Sequence, residues 1–202
     1  MNGLYTLRAV CLALVLSPVL QARNLDELRP VILVRMYNLA SVPNLTLRDA
    51  QDYATEIFRR SGVEISWRDI GDSLELNAPV PGTVELRIMI RAHALKPLIQ
   101  KQETMGIQLN DVRADIIYDQ VRSFASTVSS TAAFPPLVEP IILGHVIAHE
   151  IGHLMRLPHS NAGIMRARWD AFDFRLHGAV ELHFTEEESQ RLRAELIRRI
   201  RK

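Results

Sequence analysis

The tightest constraint on this chain is one apolar helix and the turn that must follow it. From Pro140 to Met155, Ile141, Ile142, Val146, Ile147, Ile151 and Leu154 surround the helix with apolar surface, so it belongs inside a core. His149 and His153 lie four residues apart on that helix and stand one above the other, so both imidazoles can address a single cation. Glu150 is offset by one residue, which lets its carboxylate reach a water on that cation without itself becoming a ligand. This is the physical content of a His-Glu-x-x-His zinc motif. Pro158 ends the helix, and a turn carries His159 back toward the pair. Three neutral imidazoles with one position left open describe a catalytic zinc site and not a structural one. Ligands on a rigid buried helix also stay aimed at the metal.

Composition sets the frame for that helix. With 202 residues, 48% hydrophobic and 23% charged, the chain has apolar material for one core and too little length for two comfortable domains. One domain over residues 30–202 is expected. The net charge is +1 and no Lys or Arg run interleaves with aromatics, so nucleic acid is excluded as a partner class. Residues 1–22 read as a secretory signal peptide: Arg8 supplies the positive end, Ala9 to Leu20 is almost unbroken apolar sequence, and Gln21-Ala22 offers a small residue for cleavage. The run is shorter than the roughly 20 residues of a spanning helix, so no stable membrane span is expected; a retained N-terminal anchor is the other reading. Localisation is therefore expected to be secreted or periplasmic. The only Cys, Cys11, lies inside that run, so no disulfide framework can form and packing, with or without metal, holds the domain.

The remaining elements follow from periodicity. Val31 to Tyr37 reads as a buried strand after Pro30, and Thr46 with Asp49 reads as the cap of a helix that Ser61-Gly62 stops. Val63 to Arg68 would be a second strand, parallel to the first through a right-handed crossover. Asp69 to Gly82 is a loop, and Val84 to Arg91 alternates with period two over a full strand. Ala92 to Met105 is ambiguous, Gly106 opens a turn, and Asp115 to Tyr118 is a last short strand. Asp119 to Ser130 then reads as a helix that Pro135-Pro136 separates from the next. Thr185 with Glu188 makes a capping box for a C-terminal helix striped by Leu192, Leu196, Ile197 and Ile200. Its arginines are read as a solvated face.

The spacing from His149 through His153 to His159, with Glu150 after the first His, resembles the metzincin clan of zinc endopeptidases and its pattern His-Glu-x-x-His-x-x-Gly-x-x-His. Ser160-Asn161-Ala162-Gly163-Ile164-Met165 resembles the turn that in this clan places a methionine beneath the metal. The resemblance covers residues 141–167. It implies an α+β, metzincin-like (zincin) single domain with a small mixed β-sheet, a buried active-site helix and a C-terminal helix. It also implies Zn2+ on His149, His153 and His159, Glu150 as general base, Met165 as an apolar floor, and a peptide or protein substrate. Arg156 departs from the pattern, because the clan has Gly there to turn with positive φ, a conformation costing a non-Gly residue about 1 kcal/mol. Leu157-Pro158 offer another route out of the helix. No Tyr follows Met165 closely; Ala167 and Trp169 stand there instead.

Two function classes follow: a secreted zinc-dependent metallopeptidase, and a catalytically inactive secreted zinc-binding module that keeps the histidines without a usable cleft. His145, one turn before His149, is expected to pack and not to ligate. Trp169, Phe172 and Phe174 are candidates for the lower wall of the cleft, or for a partner surface. If His159 is not a ligand, Asp170 and Glu181 are the next candidates.

Overall fold

The computed structural model describes residues 31–70, 84–92, 104–130, 138–174 and 182–201. The leader, the Pro135-Pro136 break, Glu181 and most of the 69–82 and 92–105 stretches lie outside the described residues. Five strands, β1 (Val31–Asn38), β2 (Glu64–Ile70), β3 (Val84–Arg91), β4 (Gly106–Asn110) and β5 (Arg113–Ile117), form one sheet in the order β2-β1-β3-β5-β4. β1 pairs in parallel with β2 and with β3, β3 pairs in parallel with β5, and β4 closes one edge antiparallel to β5. Among the described residues four helices accompany it: α1 (Asn44–Arg60), α2 (Tyr118–Ser130), α3 (Val138–Leu154) and α4 (Glu186–Ile200). The chain is thus an α+β fold with a mixed sheet, as the resemblance implies.

The sheet has two unlike faces. Ile32, Val34 and Met36 of β1, Leu86, Ile88 and Ile90 of β3, and Ala114 and Ile116 of β5 form the core with α1, α2 and α3. On the other face the register aligns Arg68, Arg35, Arg87 and Arg113 across four adjacent strands. Like charges opposite one another are unfavourable. Asp115 in the next row offsets this by accepting from Arg91 at 2.5 Å and Arg113 at 3.1 Å.

Helix α3 lies in the core, with Ile142, Leu143, Ile147, Ile151 and Leu154 at 0% exposure. Its apolar residues go all the way round, which is why it is enclosed and not laid on the surface. Pro140 is tolerated because the first turn has no intrahelical N–H bonds to lose. The capping box at α4 forms as read, with Thr185 and Glu188 each bonding the other's backbone N–H.

Three expectations are corrected. Thr46 does not cap α1; the helix begins at Asn44 with Pro43 at the cap position and no side-chain cap. The preceding loop is set instead by Asn38, whose amide bonds both the N–H and the C=O of Val42. Gly106 opens a strand and not a turn: β4 is a largely exposed edge strand of five residues, too short for the alternation of Ile107 and Leu109 with Gln108 and Asn110 to stand out. Tyr118 belongs to α2, where its hydroxyl donates to Glu139 at the start of α3. A single 3-10 turn at Ala171–Phe174 was not anticipated.

Candidate metal centre

His149 and His153 project from α3 with ring centroids 4.6 Å apart, and His159 returns from the following turn to 4.6 Å from His153 and 5.3 Å from His149. One ring nitrogen from each imidazole falls within 4.8 Å of the other two, and this is the only such group of three ligand-type side chains among the described residues. His153 Nε2 and His159 Nε2 are 3.1 Å apart. Two nitrogens bound tetrahedrally at about 2.0–2.1 Å from zinc would stand about 3.3 Å apart.

The ring orientations are fixed by the backbone. His149 Nδ1 lies 2.8 Å from the carbonyl of Ile164, and His153 Nδ1 lies 2.9 Å from that of Leu157. A carbonyl only accepts, so both Nδ1 atoms carry the proton and both Nε2 atoms keep their lone pairs for the cluster. Burial pushes the pKa of His149 down to about 4, against the Ile164 carbonyl, which raises it. Burial lowers that of His153 as well. Both imidazoles are therefore neutral near pH 7, the form a metal requires. The donor set fits Zn2+.

Glu150 is nearly buried, at 4% exposure, and burial pushes its pKa up to about 8. Its Oε2 has no hydrogen-bond partner among the described residues. A buried carboxylate oxygen left this way is costly, which marks a functional position more than a structural one. Its neighbour is Gly106 of β4: a Cβ there would stand 2.4 Å from Glu150 Oε1. Only glycine lets the edge strand lie against the carboxylate. Sequence reasoning missed Gly106; its signal is an isolated Gly in a strand, which marks a close approach.

The turn after α3 is built on Arg156. The Arg156 N–H bonds His153 O at 2.8 Å and the Leu157 N–H bonds Gly152 O at 3.0 Å, the two bonds of a Schellman motif with Arg156 in its left-handed position. Arg156 has φ +64°, so an arginine takes up the conformation for which glycine is usual. Ending the helix this way also delivers the Leu157 carbonyl to His153.

Met165 is fully buried at the end of the next turn, where its carbonyl accepts from Ser160 N–H at 3.0 Å. Its sulfur lies against α3 at Gly152, where a Cβ would stand 2.5 Å from it. That turn also carries the Ile164 carbonyl that orients His149.

His145 packs and does not join the cluster: it is 2% exposed, its Nδ1 is 2.7 Å from Ile141 O, and its ring meets Phe174 edge-on at 5.3 Å. Trp169 meets His149 edge-on at 5.4 Å and packs on Phe174 at 5.7 Å, while Phe172 is 72% exposed. Two of the three aromatics thus support the histidines and one faces solvent. Asp170 caps the 3-10 turn by accepting from Phe172 N–H at 2.7 Å.

No protein-family model matches the chain, and no curated protein matches it by sequence. Solved structures do. The chain is similar to archaemetzincin from Methanopyrus kandleri, with a TM-score of 0.57 at 11% identity over 83% of this chain and 97% of that one. It is similar also to a zinc-dependent peptidase from Methanocorpusculum labreanum, with a TM-score of 0.54 at 14% identity over 79% and 99% of the two chains. At these identities the likeness is one of fold.

Proposed function

We propose that this chain is a zinc-dependent metallopeptidase that hydrolyses internal bonds of peptides or proteins. The observation that carries the reading is the convergence of three imidazoles beside a buried carboxylate that has one unpartnered oxygen. His149, His153 and His159 would hold the zinc. Zinc bound there supplies Lewis acidity, bringing the pKa of a water toward neutrality and polarising the scissile carbonyl. The charge of a zinc ion beside it would bring down the Glu150 pKa that burial alone raises, so that Glu150 would take the proton of the attacking water and later deliver it to the leaving amine nitrogen. Gly106 keeps the edge strand out of the space this carboxylate needs. Met165 forms the apolar floor, and Trp169, edge-on to His149, limits the ways that ring can turn. The fold shared with an archaemetzincin and a zinc-dependent peptidase supports the reading, as does the neutral state of His149 and His153.

The leader at residues 1–22 supports export, and a secreted or periplasmic location is part of the proposal. No helix among the described residues is long and apolar enough to cross a membrane.

Glu150→Gln tests the chemistry. Turnover of an unstructured protein substrate should fall by about 10²–10⁴-fold, the usual loss on removing a general base, with zinc content unchanged. Loss of zinc in that variant would make the acid a ligand or a structural group. Zinc binding in the wild type without chelator-sensitive cleavage of any substrate would favour the inactive binding module.

A further inference from the structure

The C-terminal helix reaches the end of α3 through one half-buried arginine. Arg199 donates from Nη2 to the carbonyl of Leu154 at 2.5 Å and from Nη1 to that of Asp111, in the β4–β5 turn, at 3.1 Å. Its Nε is held by Glu195 Oε1 at 2.8 Å. Leu154 ends α3, one residue after His153, and its carbonyl is among those a helix cannot satisfy internally. A cation there also meets the negative end of the helix dipole. The same Glu195 lies 3.6 Å from Arg156 Nε, and Arg156 Nη2 lies 3.4 Å from Asp111 Oδ2.

Burial separates the strong contacts from the weak. The Arg156 and Asp111 side chains are 58% and 73% exposed, so their pair contributes little. The Arg199 and Glu195 side chains are 13% and 11% exposed, and Arg199 bridges two backbone carbonyls with its planar fork. Its neighbours Arg198 and Arg191 do lie on the wetter side.

We propose that Arg199, aligned by Glu195, is a positioning residue for the metal centre: it joins the end of α3 to the β4–β5 turn and so holds Arg156 in the left-handed turn that brings His159 to His153. The inference rests on the zinc reading of the three histidines. It assigns to the last turn of the chain a part in the site, although Arg199 touches neither metal nor substrate.

The test uses the full chain, loaded in turn with zinc and with cobalt(II), whose visible absorption reports ligand geometry. Arg199→Met should weaken zinc by about 10-fold, the lower end of what losing an outer partner costs, and should change the shape of the cobalt spectrum. Arg199→Lys, which keeps the charge and can reach one carbonyl, should recover part of the affinity. Glu195→Gln, which leaves the arginine in place, should show a smaller loss in the same direction. Should Arg199→Met fail to fold, the lysine and glutamine variants carry the test. Lowered melting temperatures of the metal-free variants with zinc affinity and cobalt spectra unchanged would overturn the inference and leave Arg199 a purely structural brace. A wild-type chain that binds neither metal would remove the zinc reading itself, and this inference with it.

Discussion

His149 and His153 on the one hand, and His159 on the other, reach the same point by different physics. The first two ride on an enclosed helix, and each has its ring pinned by a backbone carbonyl. Their separation is a property of helical geometry and needs nothing from the rest of the chain. His159 stands exposed on a turn that leaves the helix through a left-handed arginine. Its position depends on Arg156, on the Schellman bonds and on what α4 and the β4–β5 turn press against them. A pair of imidazoles set locally is thus completed by one set by tertiary structure.

The largest break in this comparison comes from the helix pair. His149→Ala or His153→Ala should leave no zinc after dialysis, as read by metal analysis, because each removes a pre-aimed, neutral donor. His159→Ala should also cost more than the roughly 10–100-fold typical of losing an outer partner, but it should leave a measurable two-histidine affinity. Equal loss from all three would mean that the turn ligand is as well fixed as the helix ligands. Unchanged zinc and activity in His159→Ala would remove it from the site.

Gly106 sharpens the contrast on the side of the carboxylate. Gly106→Ala puts a Cβ where Glu150 now lies, and the glutamate must move. A displacement on the order of 1 Å in a reacting group costs about 100-fold in rate, so kcat should fall by that order with zinc content unchanged. If kcat holds and only KM changes, β4 acts through substrate contact and not through Glu150.

Gly152 is the corresponding test on the side of Met165. Alanine there gains up to about 1 kcal/mol of helix propensity but drives a methyl into the Met165 sulfur, and such overpacking costs about 1–3 kcal/mol. Denaturant unfolding of Gly152→Ala should show a net loss of about 1 kcal/mol. A net gain would mean that Met165 is free to move away, and so is no fixed floor.

The sequence made the locally determined half of this site readable. Spacing alone puts His149, Glu150 and His153 in relation, and the wholly apolar surroundings of α3 place that helix in the core. Val84 to Arg91 was equally clear, because its alternation is uninterrupted. What the sequence hides is whatever a distant element decides. β4 escaped notice because its alternation spans only five residues, with Ile107 and Leu109 as its apolar members, and with it went the contact between Gly106 and Glu150. Arg156 looked like a break in the pattern because nothing near it in sequence announces its left-handed turn; Glu195, the shielded carboxylate beside its side chain, lies 39 positions away. The cap of α1 was misplaced for a local reason: Pro43 takes the cap position that Thr46 was expected to fill, and Asn38 fixes the loop before it by bonding Val42.

The smallest effect concerns pH and bears on the turn-borne ligand. Hydrogen bonds from Arg198 and Arg199 hold the Glu195 carboxyl down to about 2, from an ordinary value of 4.5, against the opposing effect of its burial. A carboxyl whose folded pKa is depressed contributes stability that is complete above its unfolded value and is lost as pH falls toward the folded one. The Glu195 contribution should therefore be whole above about pH 5 and gone near pH 2. Melting temperatures of wild type and Glu195→Gln, measured without metal from pH 7 to pH 2, should differ most at the upper end and converge at the lower. Salt should reduce the difference only slightly, since the carboxylate is largely shielded from solvent. A difference that stays constant across the range would mean that the glutamate acts through its shape and hydrogen bonds. The support for the turn between His153 and His159 would then rest on packing and not on charge.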